Sequence, residues 1–526
     1  MLWLAIDLPL LPLELHACAP AALAQRGPRV VFQAAAGAQG AQSAQSTVVL
    51  QADEAAQAMG ISAGMSLPTA RARCAQLQVC MHDARQQAQC VQQLALSLLR
   101  FTPTLVLQPQ GVLMEVQGSL RLFGGAARLC AQIEQAVAQF GLQASLAAAP
   151  TLKAAHLLAL VGGQAWPGQV LRTRHLTQAR AWLDALPLPA VLQVLDHSRA
   201  LQELLQGLGL QTLADLRHLP RAGVQRRGAR ELLHQLDQAY GLEPDPPQLM
   251  QPPQVFEQGV ELPERSDHLP LILWSLQRPL QALEGWLRAR HLCAAALRLS
   301  LRHDTTRTEV HPDTPLELQL AEPESQPSRL MRLLQERLSR LPLPAPVVSL
   351  RLQLLRHTPQ MLRPHSLFNS HEALAPGPST EPGAYKRLLD QLQSRIGIER
   401  VRVLTLNDDH RPEQAARAQP AMQAESLSKG LSWPATGFGL GSGPPRPVWL
   451  LPQPLALQEQ QGQPVQQGQP LILRTRAERI ESGWFDGQPV QRDYHVAQGG
   501  TDHRLRWIFR ERQGTHSGWY LHGWFN

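Results

Sequence analysis

The sequence predicts a multidomain α+β protein, and three observations predict it. Short apolar runs alternate with helical spacing over roughly the first 170 residues. Short helical patterns fill residues 175–248. Two low-complexity breaks, 369–384 and 417–447, then precede a tail dense in aromatics. With 526 residues, the chain has room for about three to five domains of roughly 100–200 residues each.

The opening run Leu2-Trp3-Leu4-Ala5-Ile6-Asp7 is apolar on every position before the acid, the pattern of a strand buried on both faces. Residues 48–80 read as a strand followed by helices, and 86–101 carry leucines at helical spacing. Thr104–Gln117 reads as strand, turn, strand. A turn at Ser119–Gly125 leads into a helix near Ala126–Phe140, then a strand at Leu142–Ala149 and a helix at Leu152–Leu160. Such alternation packs helices on a mixed sheet. Leu201–Gly209, Leu213–Leu219 and Glu231–Tyr240 read as helices punctuated by Gly and Pro, closed by Pro244, Pro246 and Pro247. Residues 253–357 mix strands (Ala294–Arg302 and Val347–Leu355) with amphipathic helices near 270–290 and 327–340. A helix at Tyr385–Ile396 and a strand at Arg400–Leu406 lie between the two linkers. The cluster Gly437, Gly439, Gly441 and Gly443 is no phosphate loop. No strand leads into it, and Pro444-Pro445 cannot open a helix with the required N–H donors.

Hydrophobic residues make up 44% of the chain and charged residues 17%, which suits a globular core and excludes wholesale disorder. The net charge of +7 favours anionic partners, nucleic acid first. Asp7 interrupts the first apolar stretch and no basic segment precedes it, so no secretory signal is expected. No apolar run reaches the roughly 18 residues needed to span a bilayer, so no membrane partner is expected. The six cysteines are scattered without a Cys-x-x-Cys pair. That argues against a zinc site or disulfide framework and for a reduced, cytoplasmic protein.

Four segments carry a resemblance. They are Ile6-Asp7-Leu8-Pro9 with Glu14; Gly60-Ile61-Ser62-Ala63-Gly64-Met65; Leu113-Met114-Glu115-Val116 with Ser119-Leu120-Arg121-Leu122-Phe123-Gly124-Gly125; and Ala147-Ala148-Ala149-Pro150-Thr151. Leu208–Leu216 follows, then in the tail Asp408–Glu413, Arg479–Gly487, Arg492-Asp493-Tyr494 and Leu521-His522-Gly523. In that order they resemble the ImuB group of Y-family DNA-polymerase-like (UmuC-domain) proteins over nearly the whole chain. The resemblance implies a right-hand architecture. Residues 1–170 would be palm and fingers, 171–250 thumb, and 251–360 little finger. A clamp motif and linker would occupy 361–384, a helix-strand segment 385–416, a linker 417–447, and a β-rich interaction region 448–526.

The family's metal site requires an Asp on the first strand and an Asp-Glu pair ahead of a Leu-Asp, because nucleotidyl transfer uses two carboxylate-held cations. Asp7 stands at the first position, while the strand's second acid falls on Pro9 and the Asp-Glu pair on Gln110 and Gly111. Between Leu105 and Val116, Glu115 is the only acid. His156 replaces the lysine that meets the incoming phosphates, and Leu10 and Leu11 replace the aromatic pair under the sugar. Asp7 is thus either a vestigial ligand, at most of one weak ion, or an acid hydrogen-bonded at a strand end. No catalytic residue, metal or other cofactor is expected; Mg2+ enters only if the chain is instead a low-efficiency polymerase with an unusual metal site.

The resemblance implies a non-catalytic scaffold of DNA-damage-induced (SOS) mutagenesis and translesion synthesis, cytoplasmic and nucleoid-associated. Its expected partners are damaged primer-template DNA, the sliding clamp, an ImuA-like RecA-related protein and an error-prone C-family polymerase. Candidate DNA contacts are Arg221, Arg226, Arg227 and Arg230 after the thumb-like segment, and Arg298, Arg302, Arg351 and Arg356 on little-finger-like strands. Arginines near turns suit phosphate oxygens; the same pattern also describes a solvated basic face. Ser366-Leu367-Phe368 resembles the Leu-Phe clamp-binding peptide, with Pro364-His365 in place of the leading Gln-Leu; an apolar pair closing a domain is the other reading. Nine of the chain's 25 aromatics fall in 481–526, fitting a compact core or an interface. Asp408, Asp409 and His410 lack further ligands at suitable spacing and read as a turn or helix cap.

Overall fold

In the computed structural model of the chain, Trp3–Asp7 is the middle strand of a five-stranded sheet. Gly111–Glu115 and Ser145–Ala149 pair with it antiparallel on either side, Leu105–Gln108 lies outside the first, and Leu171–Arg172 lies parallel outside the second. The structure describes residues 1–16, 27–34, 47–166, 169, 171–195, 197–304, 312–360, 384–407, 409–421, 446–500, 502–512 and 517–525. They form two compact units, Met1–Arg387 and Leu388–Asn526.

Both faces of the first sheet are covered, which explains the unbroken apolar run. The pleat sends successive side chains to opposite sides. Leu4 and Ile6 join a core built with helices Ala84–Leu98, Ala126–Gln139 and Leu269–Arg288. Trp3 and Ala5 join a second core with Leu152–Leu157 and the helices that follow it. Asp7 shares the parity of Trp3 and Ala5 and therefore opens on the second face.

A smaller sheet, ordered Thr47–Ala52, Arg29–Ala34, Gln78–Met81, carries the Gly60–Met65 turn. Gly60 and Gly64 sit at φ of 78° and 82°, conformations that favour glycine. Two of these strands were not expected from the sequence; Gln78–Met81 has only four residues and is half-buried, too short for a periodic signal. The helical block holds six helices, from Leu176–Asp184 to Arg230–Ala239, including one at Arg221–Arg226 where the sequence shows only a basic turn.

The next sheet is antiparallel, ordered Thr314–Glu324, Leu292–His303, Val347–Pro359, Glu257–Ser266, with helices Leu269–Arg288 and Pro327–Leu338 packed on it. The central two strands were expected and the edge strands were not. Pro315 and Pro323 on one edge and Gly259 and Pro263 on the other break the strand pattern, and an edge is where a sheet tolerates a missing N–H. This subdomain shares one continuous core with the first sheet. Gly285 makes the junction: a Cβ there would lie 2.1 Å from the Leu96 carbonyl oxygen, so only glycine allows the two helices to cross. Beside it, Arg100 and Glu284, both mostly buried, pair at 3.0 Å.

The second unit contains the hairpin Arg402–Leu406/Ala416–Pro420 and an antiparallel sheet ordered Trp449–Ala456, Trp519–Trp524, Leu505–Glu511, Val490–Gly499, Gln469–Leu473, Gln463–Gln466, Gln458–Gln460. Ala416–Pro420 is therefore a strand where the composition reads as the start of a linker. Most tail aromatics form core: Tyr494 stacks on Trp507 at 4.1 Å, and Phe509 on Tyr520 at 5.2 Å. Trp484 and Phe485 instead stand 81% and 60% exposed. Asp409 accepts the Arg411 backbone N–H at 2.8 Å and pairs with its guanidinium, so it acts as a turn residue; Asp408 lies outside the described residues. Among the described residues, no helix is long and apolar enough to cross a membrane.

Candidate active-site cleft and nucleic-acid interface

Asp7 ends the central strand, only 6% exposed. Strand register places Gly111 directly opposite it, and the Leu8 N–H donates to the Gln110 carbonyl at 2.9 Å. The two positions counted from Glu115 therefore do lie beside Asp7. Gly111 is also required by packing: a Cβ there would fall 2.1 Å from the Ile6 carbonyl oxygen. Backbone occupies the space a side chain at this position would need. Pro9 lies past the strand end, where its carbonyl accepts from Gln51 Nε2 at 2.6 Å.

The other nearby acids are committed elsewhere. Glu115 pairs with Trp3, four residues from Asp7, about 13 Å along the strand. Its Oε1 accepts the Leu2 and Gln117 N–H groups at 3.3 and 3.1 Å. Glu14 accepts the Gln143 N–H at 3.0 Å.

Asp7 opens into a cavity of about 540 Å3, whose walls include His156, Gln108, Gln110, Gln164 and Gln193. Burial pushes the Asp7 carboxyl up to about 6, opposed by the Leu8 N–H. Burial, helped by Lys153, pushes His156 down to about 4, so its imidazole is neutral at pH 7. Asp7 is the single carboxylate among the described residues of this wall, and no Lys or Arg joins it. A pair of Mg2+ ions needs several oxygen ligands held close together. Asp7, Gly111 and the amides of this cavity do not fit such a pair.

The arginines named from sequence divide by environment. Arg221 is held at both ends of its fork by the largely buried Asp237, Arg298 pairs with Glu317 at 2.7 Å, and Arg351 with Glu257 at 3.1 Å. These pairs tie helix to helix and strand to strand. Arg226, Arg227, Arg230, Arg302 and Arg356 are exposed and have no ion pair among the described residues. Register brings Arg298, Arg302 and Arg351 onto one face of the four-stranded sheet: Arg351 faces Ser300, midway between the other two, opposite the buried Leu299, Leu301 and Leu352. Ser366, Leu367 and Phe368 lie outside the described residues.

Sequence reasoning missed the glutamines of the cleft. Gln108, Gln164 and Gln193 are far apart in the chain, and glutamine carries no motif; only the fold gathers them.

None of the curated proteins compared matches the chain. It is similar to the solved structure of an insertion ternary complex of Dbh DNA polymerase, at 14% identity over 67% of this chain and 98% of that one, with a TM-score of 0.38. DinB from Sulfolobus solfataricus is similar at 14% identity and the same coverage, with a TM-score of 0.37. Residues 19–159 match the family model described as impB/mucB/samB. The matched stretch, which holds the Gly60–Met65 turn, Gln110, Gly111 and His156, is similar to that family.

Proposed function

We propose that the protein is a non-catalytic, Y-family-polymerase-like scaffold in DNA-damage tolerance. It binds primer-template DNA and the sliding clamp, and it brings an error-prone polymerase and its RecA-related helper to lesions. The observation that carries this reading is the pairing of Asp7 with Gly111 in a cleft whose other polar groups, among the described residues, are neutral. Polymerisation needs carboxylate-held metals, and a side chain at Gly111 would strike backbone. The exposed Arg302 and Arg356, and Arg226, Arg227 and Arg230, supply sequence-independent phosphate contacts. Leu367 and Phe368 anchor the clamp peptide, with Ser366 setting its register.

The test is binding without chemistry. The protein should bind a fluorescent primer-template duplex, with affinity falling steeply with salt, and incorporate no nucleotide with Mg2+ or Mn2+. Leu367→Ala with Phe368→Ala should abolish clamp binding and spare duplex binding. Template-directed incorporation, or clamp binding unchanged in the double variant, would overturn the corresponding part.

A further inference from the structure

The cavity beside Asp7 has the composition of a binding site for an uncharged ligand. Among the described residues, the side chains of Gln108, Gln110, Gln164, Gln193 and His156 hydrogen-bond to no other protein group, yet all line this one cavity. Gln108, Gln110 and His156 are half-buried, where polar groups usually find partners within the fold, while Gln164 and Gln193 stand exposed at the rim. A convergence of uncommitted ones marks ligand sites, as does the volume of about 540 Å3, within the usual range of roughly 300–1,000 Å3. The apolar walls come from Ala5, Leu113, Leu160 and Val194. Leu160 is presented by a single π-helical turn, Leu158–Gly162, a local irregularity that recurs at functional sites.

Charge decides the ligand class. Among the described residues, no Lys or Arg lines the cavity and Asp7 is the one acid, while His156 is neutral. A triphosphate would meet no cation and one carboxylate of its own sign. Glutamine amides both donate and accept, which matches the alternating donors and acceptors on a base edge. Apolar side chains suit its ring faces.

We propose that this cavity binds an uncharged nucleobase, either of a free nucleoside or of an extrahelical nucleotide in bound DNA, and does not bind a metal–nucleoside triphosphate. The assignment rests on the non-catalytic reading above and adds the ligand class.

The full chain is titrated with 2′-deoxynucleosides by saturation-transfer NMR. In parallel it is titrated with a duplex bearing a single bulged 2-aminopurine, whose fluorescence rises on unstacking. Gln164→Leu and Gln193→Leu are the variants, because both residues are exposed at the cavity wall and bear little on folding. A nucleoside signal assigns the free ligand, and a 2-aminopurine signal alone assigns the extrahelical base. In either case the double variant should weaken binding at least fivefold while leaving affinity for an unbulged duplex unchanged. No response in both arms, or a response untouched by the variants, overturns the proposal and leaves the scaffold reading standing. Tight dATP binding that needs Mg2+ and is lost in Asp7→Ala overturns both.

Discussion

Replacing Asp7 with Asn should stabilise the protein at neutral pH, and the gain should vanish in acid. The carboxyl titrates near 6 in the folded chain against 3.8 for an ordinary Asp, because burial disfavours its charge. The folded state therefore binds the proton more tightly than the unfolded chain. Below about pH 4 both states are protonated and Asp7 costs nothing; the penalty grows between pH 4 and 6 and is complete above 6. The difference of about 2.2 units, at about 1.36 kcal/mol each, sets a ceiling near 3 kcal/mol. Water in the half-open cavity reduces this, so about 1–3 kcal/mol is expected at pH 7.5. Urea denaturation of wild type and Asp7→Asn, with tryptophan fluorescence following the first transition, should show a higher midpoint for the variant at pH 7.5 and coincident midpoints at pH 3.5. A variant less stable than wild type at pH 7.5 would refute the reasoning, because it would mean that a bound cation or partner holds the carboxylate ionised.

Other consequences follow from the same packing. Gly111→Ala should lower the thermal midpoint by the equivalent of about 3 kcal/mol, the upper end of overpacking costs, because its methyl meets the Ile6 carbonyl; an unchanged midpoint would show that the sheet yields there. Arg100→Met should cost about 1–2 kcal/mol, read as a loss in urea midpoint, because Glu284 loses one of two charged partners and keeps Arg288 at 2.9 Å; a change below about 0.5 kcal/mol would make the helix crossing the sole junction. Arg302→Ala with Arg356→Ala should weaken duplex binding and reduce the salt slope by roughly one per lost phosphate contact. Arg221→Ala should instead lower stability, since it strands Asp237, with the salt slope unchanged; equal effects of the two changes on the slope would remove the distinction between free and committed arginines.

The sequence shows the framework of this fold well where burial imposes a period. The run ending at Asp7, the leucine spacing of Ala84–Leu98 and the inner strands of the four-stranded sheet are all legible, because each packs apolar side chains at regular intervals. Glu257–Ser266 and Thr314–Glu324 are not, because edge strands accept the prolines and glycine that mask them. The alignment of Gln110 and Gly111 with Asp7 could be counted from Glu115, since antiparallel pairing around a two-residue turn leaves little freedom. The clash behind Gly111 depends on the Ile6 carbonyl and has no sequence signal. Likewise the sequence marks Arg298 as basic but not that Glu317, 19 residues on, faces it across the sheet.

Primer extension tests the central claim most directly. Purified protein, a primed template, all four deoxynucleotides and either Mg2+ or Mn2+ should give no extension above that of Asp7→Ala, although the duplex is bound. Template-directed extension by the wild-type chain, lost on Asp7→Ala, would contradict it.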